Sequence, residues 1–147
     1  MIYLLVFLTF HILHLSTAMK YNEMRLLIVD DISATRRVII TLLRKIGITD
    51  ITEATNGQEG WDILQEQTFD LVLCDLAMPV MDGFGLLEKI RSDAKLSDLP
   101  FIMITASDDQ KAIIKAIKGK VSQYIVKPFK KEILQEKIDK VMSNNIE

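Results

Sequence analysis

Arg25-Leu26-Leu27-Ile28-Val29-Asp30-Asp31-Ile32-Ser33 leads into a stretch with apolar residues at Val38, Ile39, Leu42, Leu43 and Ile46, then Gly47, and this segment decides the fold. Leu26 to Val29 is a continuous apolar run with no alternation, the signature of a strand covered on both faces. Asp30 and Asp31 end the run, and Ser33 offers a cap to the helix that follows. The next apolar residues keep one-face helical spacing until Gly47 stops the helix. The same alternation recurs four more times along the chain. Strands are expected at Ile51 to Ala54, Phe69 to Cys74, Pro100 to Thr105 and Gln123 to Val126. Asn56-Gly57 opens a second helix whose inner side carries Trp61 and Leu64, and further helices run over Gly83 to Arg91, Asp108 to Lys118 and Lys131 to Met142. Pro79 closes the segment after the third strand, since no strand interior accepts a proline.

Five strands apolar on both faces, separated by amphipathic helices, imply an α/β fold with a parallel sheet covered on both sides. Right-handed crossovers and a first strand with neighbours on either side make the sheet doubly wound, with its site beyond the carboxyl ends of the strands. Asp30, Asp31, Asp75, Thr105 and Lys127 all terminate strands on that one edge. Taken singly, each has a plainer reading: a strand-end Asp caps a helix or forms a turn, Thr105 bonds backbone, Lys127 is solvated, and Tyr124 packs at the sheet edge. Those readings do not explain the shared edge.

The chain is long enough for one domain and too short for two with proper cores. Its net charge of -2 disfavours tracking a phosphate backbone, so no nucleic-acid partner is expected. A lone cysteine, Cys74, excludes an internal disulfide and a cysteine-based zinc site, which suits a reducing compartment. It reads as a small buried hydrophobe. Residues 1–18 stand apart, because every charged side chain lies at Lys20 or later. As a secretory signal the segment lacks its positive charge; as a membrane span it is marginal, with His11 and His14 near its end. A start at Met19 or Met24 is the third reading. Residues 1–23 are accordingly treated as an apolar N-terminal extension and 24–147 as the folded domain, with membrane contact only if residues 1–18 belong to the protein.

If strands one and three are neighbours, three carboxylates converge in a shallow cleft. Mg2+ would relieve their repulsion, because it takes oxygen ligands, keeps several waters and needs only one or two carboxylates. Asp75 then becomes a candidate nucleophile toward phosphorus, Lys127 a cation for the equatorial oxygens, and Thr105 a hydroxyl donor. Lys127-Pro128 is also a place where a cis peptide is plausible.

The pair Asp30-Asp31, the run Asp75-Leu76-Ala77-Met78-Pro79-Val80-Met81-Asp82-Gly83, Thr105-Ala106, Tyr124 and Lys127-Pro128-Phe129 resemble the receiver domain of two-component response regulators. The similarity spans residues 24 to 143 and, with Ser33 to Arg37 after the acid pair, is greatest to single-domain CheY-like receivers of the chemotaxis type. It implies a flavodoxin-like sheet of strand order 2-1-3-4-5 with five helices. It also implies a stand-alone, cytoplasmic phosphoacceptor rather than a conventional enzyme, one that catalyses its own phosphorylation and dephosphorylation. Asp75 would take phosphate from the phosphohistidine of a sensor histidine kinase. Asp31, Asp75 and the Ala77 backbone carbonyl would bind Mg2+, with Asp30 acting mainly through water. Lys127 would hold a phosphoryl oxygen, and Thr105 and Tyr124 would move as the switch. Output would pass to a downstream target protein through the face of helix 4, strand 5 and helix 5, since no effector domain is expected after Met142. On helix 4, Ile113 and Ile117 are expected to face the sheet, leaving Ile114 outward.

The chain departs from the family pattern in three places. Lys120-Val121 stands where many receivers carry Gly-Ala, with Gly119 one residue early; Ala77 and Ser107 offer little to orient an attacking water; and the apolar head is foreign. Two other functions weigh less. A phosphohydrolase of the haloacid dehalogenase type needs an Asp where Ala77 stands, and a flavin module would not place Asp30-Asp31 at its phosphate loop.

Overall fold

The computed structural model describes residues 2–6, 21–106 and 108–143. Five strands, β1 (Arg25–Val29), β2 (Asp50–Ala54), β3 (Leu71–Asp75), β4 (Phe101–Thr105) and β5 (Gln123–Val126), alternate with five helices. These are α1 (Ser33–Ile46), α2 (Gly57–Glu66), α3 (Gly83–Ser92), α4 (Gln110–Lys118) and α5 (Lys131–Ser143). All neighbouring strands are parallel, in the order β2-β1-β3-β4-β5 expected from the resemblance.

Side chains on a strand alternate between its faces, so the continuous apolar runs feed two cores at once. Leu26, Ile28, Leu71, Leu73, Ile102 and Ile104 pack with Ile39 and Leu43 of α1 and Leu134 and Ile138 of α5. Their sequence neighbours Leu27, Val29, Val72, Cys74, Phe101 and Met103 pack with Leu64, Leu86, Leu87, Ile90 and Ala116 of the other three helices. The edge strand β2 is mostly exposed or half-buried, which explains its weaker sequence signal.

Four details differ from the sequence reading. β3 starts at Leu71, because Phe69 lies outside the sheet under the Arg25 guanidinium. α4 starts at Gln110, with the Asp109 side chain accepting from the Lys111 N–H as its cap. Ser33 is the first helical residue and not the cap; Ile32 holds that position, and its N–H is taken by Asp30 Oδ1 at 2.8 Å. On α4 the fully buried residue is Ala116, whereas Ile114 is 51% and Ile117 64% exposed. The helix seats its small residue on the sheet, and Ile117, one position on and so about 100° round the axis, turns to solvent.

The packed unit begins ahead of Met24. Tyr21 is buried in the α1–α5 core, its hydroxyl donates to Asp139, and its carbonyl accepts from the Met24 N–H. Residues 2–6 are helical with exposed apolar side chains. No helix among the described residues is long and apolar enough to cross a membrane. His11 and His14 lie outside the described residues.

Candidate functional site

The β1–β3 register pairs Val29 with Cys74, which sets Asp30 beside Asp75 at the carboxyl ends of the two central strands. Asp31 completes the group: an oxygen from each of the three carboxylates lies within 4.8 Å of the others. Asp30 is 1% and Asp75 8% exposed, while Asp31 is open to solvent. Two nearly dry carboxylates facing a third repel one another, and a cation beside them offsets that repulsion.

The cation the chain supplies is Lys127. It follows β5, a crossover away in sequence, and its Nζ lies 3.2 Å from Asp30 Oδ2 and 3.7 Å from Asp75 Oδ1. The Lys127-Pro128 peptide is cis, and the Lys127 N–H donates to the Thr105 carbonyl at 2.8 Å. Burial raises the pKa of Asp75 above its ordinary value. Lys127 opposes that rise, Asp30 and Asp31 add to it by repulsion, and the Leu76 N–H, 2.8 Å from Oδ1, favours the ionised form. The Cys74 thiol next door is pushed well up by burial and then by Asp75, Asp30 and Asp82, consistent with a structural role.

Thr105 is buried at the end of β4, and Tyr124 is half-buried on β5, opposite Met103 and so two positions back from Thr105 along β4. Burial first, then Asp108 and Asp109, raises the pKa of the Tyr124 phenol. Ala77 lies exposed on the loop that leaves β3. Ser107 lies outside the described residues.

Two residues that the sequence reading placed without assigning them a role support the site. Arg36, in the first turn of α1, donates through Nη1 to the Asp30 carbonyl at 2.6 Å and through Nε to Glu53 of β2 at 2.9 Å. It holds the backbone of the loop bearing both acids. An arginine one helical turn after a strand-end acid pair, with an acid on the adjacent edge strand, is the signal that would have found it. Gly83 is the second. It opens α3 so close to the acceptor strand that a Cβ would lie 2.5 Å from the Asp75 carbonyl oxygen.

The family of the response regulator receiver domain matches residues 26–139. The chain is a response regulator receiver. It is 42% identical over 123 residues to chemotaxis protein CheY1 of Helicobacter pylori, covering 83% of this chain and 99% of that one. To chemotaxis protein CheY-3 of Vibrio cholerae it is 43% identical over 124 residues, covering 84% and 95%. Among solved structures it superposes on Vibrio cholerae CheY4 with a TM-score of 0.74 at 26% identity, covering 80% of this receiver and 98% of that chain. The Thermotoga maritima regulator TrrA, solved in complex with Mg2+-BeF, gives a TM-score of 0.72 at 30% identity over 80% of this receiver and 98% of that chain. This receiver is therefore CheY-like and belongs to the phosphoacceptor modules of two-component signalling. Its acidic cluster has the oxygen donors and the unrelieved charge that suit a hard divalent cation.

Proposed function

We propose that this receiver takes a phosphoryl group onto Asp75 from the phosphohistidine of a histidine kinase. The observation that carries the reading is Lys127 lying within ion-pair distance of both Asp30 and Asp75, with Asp31 completing the acid group. Leu76 N–H and Lys127 both engage Asp75 Oδ1, which leaves Oδ2 to attack. An oxygen–phosphorus bond forms there, the phosphorus–nitrogen bond of the phosphohistidine breaks, and the electron pair leaves with the imidazole. Asp30, Asp31, Asp75 and the Ala77 carbonyl are the residues that would hold Mg2+, which when bound offsets charge on the phosphoryl oxygens. Lys127 moves from the carboxylates toward a phosphoryl oxygen as that charge arrives. Thr105 offers its hydroxyl to another, and Tyr124 follows it inward, shifting the population between two states.

The output face is α4, β5 and α5. A groove of about 540 Å3 there is lined by Tyr124, Val126, Phe129, Ile133 and Lys137, and Ile114 and Ile117 stand exposed on α4. Incubation with acetyl phosphate tests the acceptor assignment. The wild-type chain should gain one acid-labile phosphoryl group in a Mg2+-dependent manner, and Asp75→Asn should gain none. Undiminished labelling of that variant would overturn the assignment.

A further inference from the structure

A second cleft, of about 440 Å3, lies between α3 and α4 and shares no residue with the acid site or with the Tyr124 groove. The half-buried Phe84 supplies its apolar surface, with Leu87 buried beneath it. Arg91, Lys115, Lys118 and Lys120 line it against a single carboxylate, Glu88. Asp98 acts on Arg91, which leaves three lysines against one carboxylate, a local excess on a chain whose net charge is -2. The Lys115 ammonium lies 4.4 Å above the Phe84 ring. Among the described residues no carboxylate reaches Lys115, Lys118 or Lys120 at ion-pair distance.

The turn after α4 shows how a lysine comes to stand there. Gly119 has an ordinary φ of -75°, and a Cβ on it would lie 3.0 Å from Leu87 Cδ2, so its glycine serves close helix packing. The left-handed position falls one residue later, on Lys120 at φ 63°. An L side chain is strained there, which a glycine would avoid. Arg91 anchors the strained residue, donating through Nε to the Lys120 carbonyl at 2.9 Å and through Nη1 to the Ser97 and Leu99 carbonyls. The departure from the family pattern at Lys120 thus adds a cation to the cleft at the expense of backbone ease.

We propose that this cleft docks an acidic segment of a partner protein. One apolar side chain would rest beside Phe84, and flanking carboxylates would pair with Lys115, Lys118 and Lys120. Charge complementarity and the apolar floor together favour such a segment. A nucleotide would meet the same cations, but Arg91 already occupies the backbone carbonyls that could read a base.

The test is an NMR titration of the 15N-labelled full chain with a synthetic peptide carrying a central leucine among aspartates and glutamates. Saturable amide shifts should centre on Leu87 to Ser92 and Lys115 to Lys120, be unchanged in Asp75→Asn, and weaken with salt. Lys118→Glu should weaken binding about tenfold, as a reversed charge at an interface does. Lys120→Gly should weaken it about threefold while raising the thermal midpoint, because the left-handed strain is relieved. Absence of saturable shifts, shifts centred on Tyr124 and Ile133, or stronger saturation by ATP than by the peptide would overturn the proposal. So would unchanged affinity in either lysine variant. Acetyl phosphate labelling of the same variants should match wild type, which separates this surface from the acceptor chemistry.

Discussion

β1 carries an ion pair at each end. Arg25, its first residue, meets Asp50 at 3.3 Å; Asp30, just past its last, meets Lys127 at 3.2 Å. The distances nearly agree and the surroundings do not. The side chains of the first pair are 39% and 54% exposed, those of the second 20% and 2%. Water screens the Arg25 pair, and such pairs contribute at most about 1 kcal/mol. Asp30 is buried, so removing its partner would leave a desolvated carboxylate without compensation. The pair at the amino edge of the sheet therefore adds little to the fold, and the carboxyl edge stores charge that an incoming group can rearrange.

Removing the buried cation should give the largest effect. Lys127→Ala leaves Asp30 and Asp75 facing each other, and in Mg2+-free buffer we expect a loss on the order of 3 kcal/mol of stability. Added Mg2+ should recover part of it in a thermal melt, and the acetyl phosphate labelling rate should fall about a hundredfold. A variant as stable as wild type without metal would erase the contrast between the two edges.

Tyr21 sharpens the comparison from the amino edge. Burial, and then its hydrogen bond to Asp139, raises its phenol pKa from 10.0 to about 12. The native state thus keeps the proton that the unfolded chain releases first. Tyr21 contributes full stability below pH 10, and that contribution is lost as pH rises through 12. Tyr21→Phe should cost about 1 kcal/mol near neutral pH, flatten the alkaline decline in denaturant midpoints, and leave labelling intact.

The smallest effect belongs to the exposed pair. Asp50→Asn should change stability by less than about 0.5 kcal/mol, shrinking further with salt, and should not alter labelling. A loss comparable to that of Lys127→Ala would mean that burial does not distinguish the pairs.

Much of this was legible in the chain. The runs Leu26 to Val29 and Leu71 to Cys74 identified the central strands because a strand with both faces covered tolerates no polar alternation. One boundary error fell where an apolar residue serves a neighbour instead of the sheet, as Phe69 does beneath Arg25. Asp30, Asp31, Asp75, Thr105 and Lys127 were readable because each terminates a strand on one edge. Arg36 was not, since its role lies in reaching a carbonyl and an acid on separate segments. On α4, Ile114 faces outward and Ile113 is half-buried as expected, but Ile117 is exposed and Ala116 takes the fully buried position, which the greater apolarity of isoleucine did not reveal.

By itself the sequence determined what is periodic and local: five parallel strands, five amphipathic helices, and which strand ends carry acid, hydroxyl or ammonium groups. Only the tertiary structure decided which of the three carboxylates keep their water. It also decided that Lys127 bridges two of them, that the packed unit reaches back to Tyr21, and that strain falls on Lys120 because Gly119 is pressed against Leu87. Periodicity follows from bonds between neighbours in the chain, whereas desolvation and pairing depend on segments that meet only when the sheet closes over them.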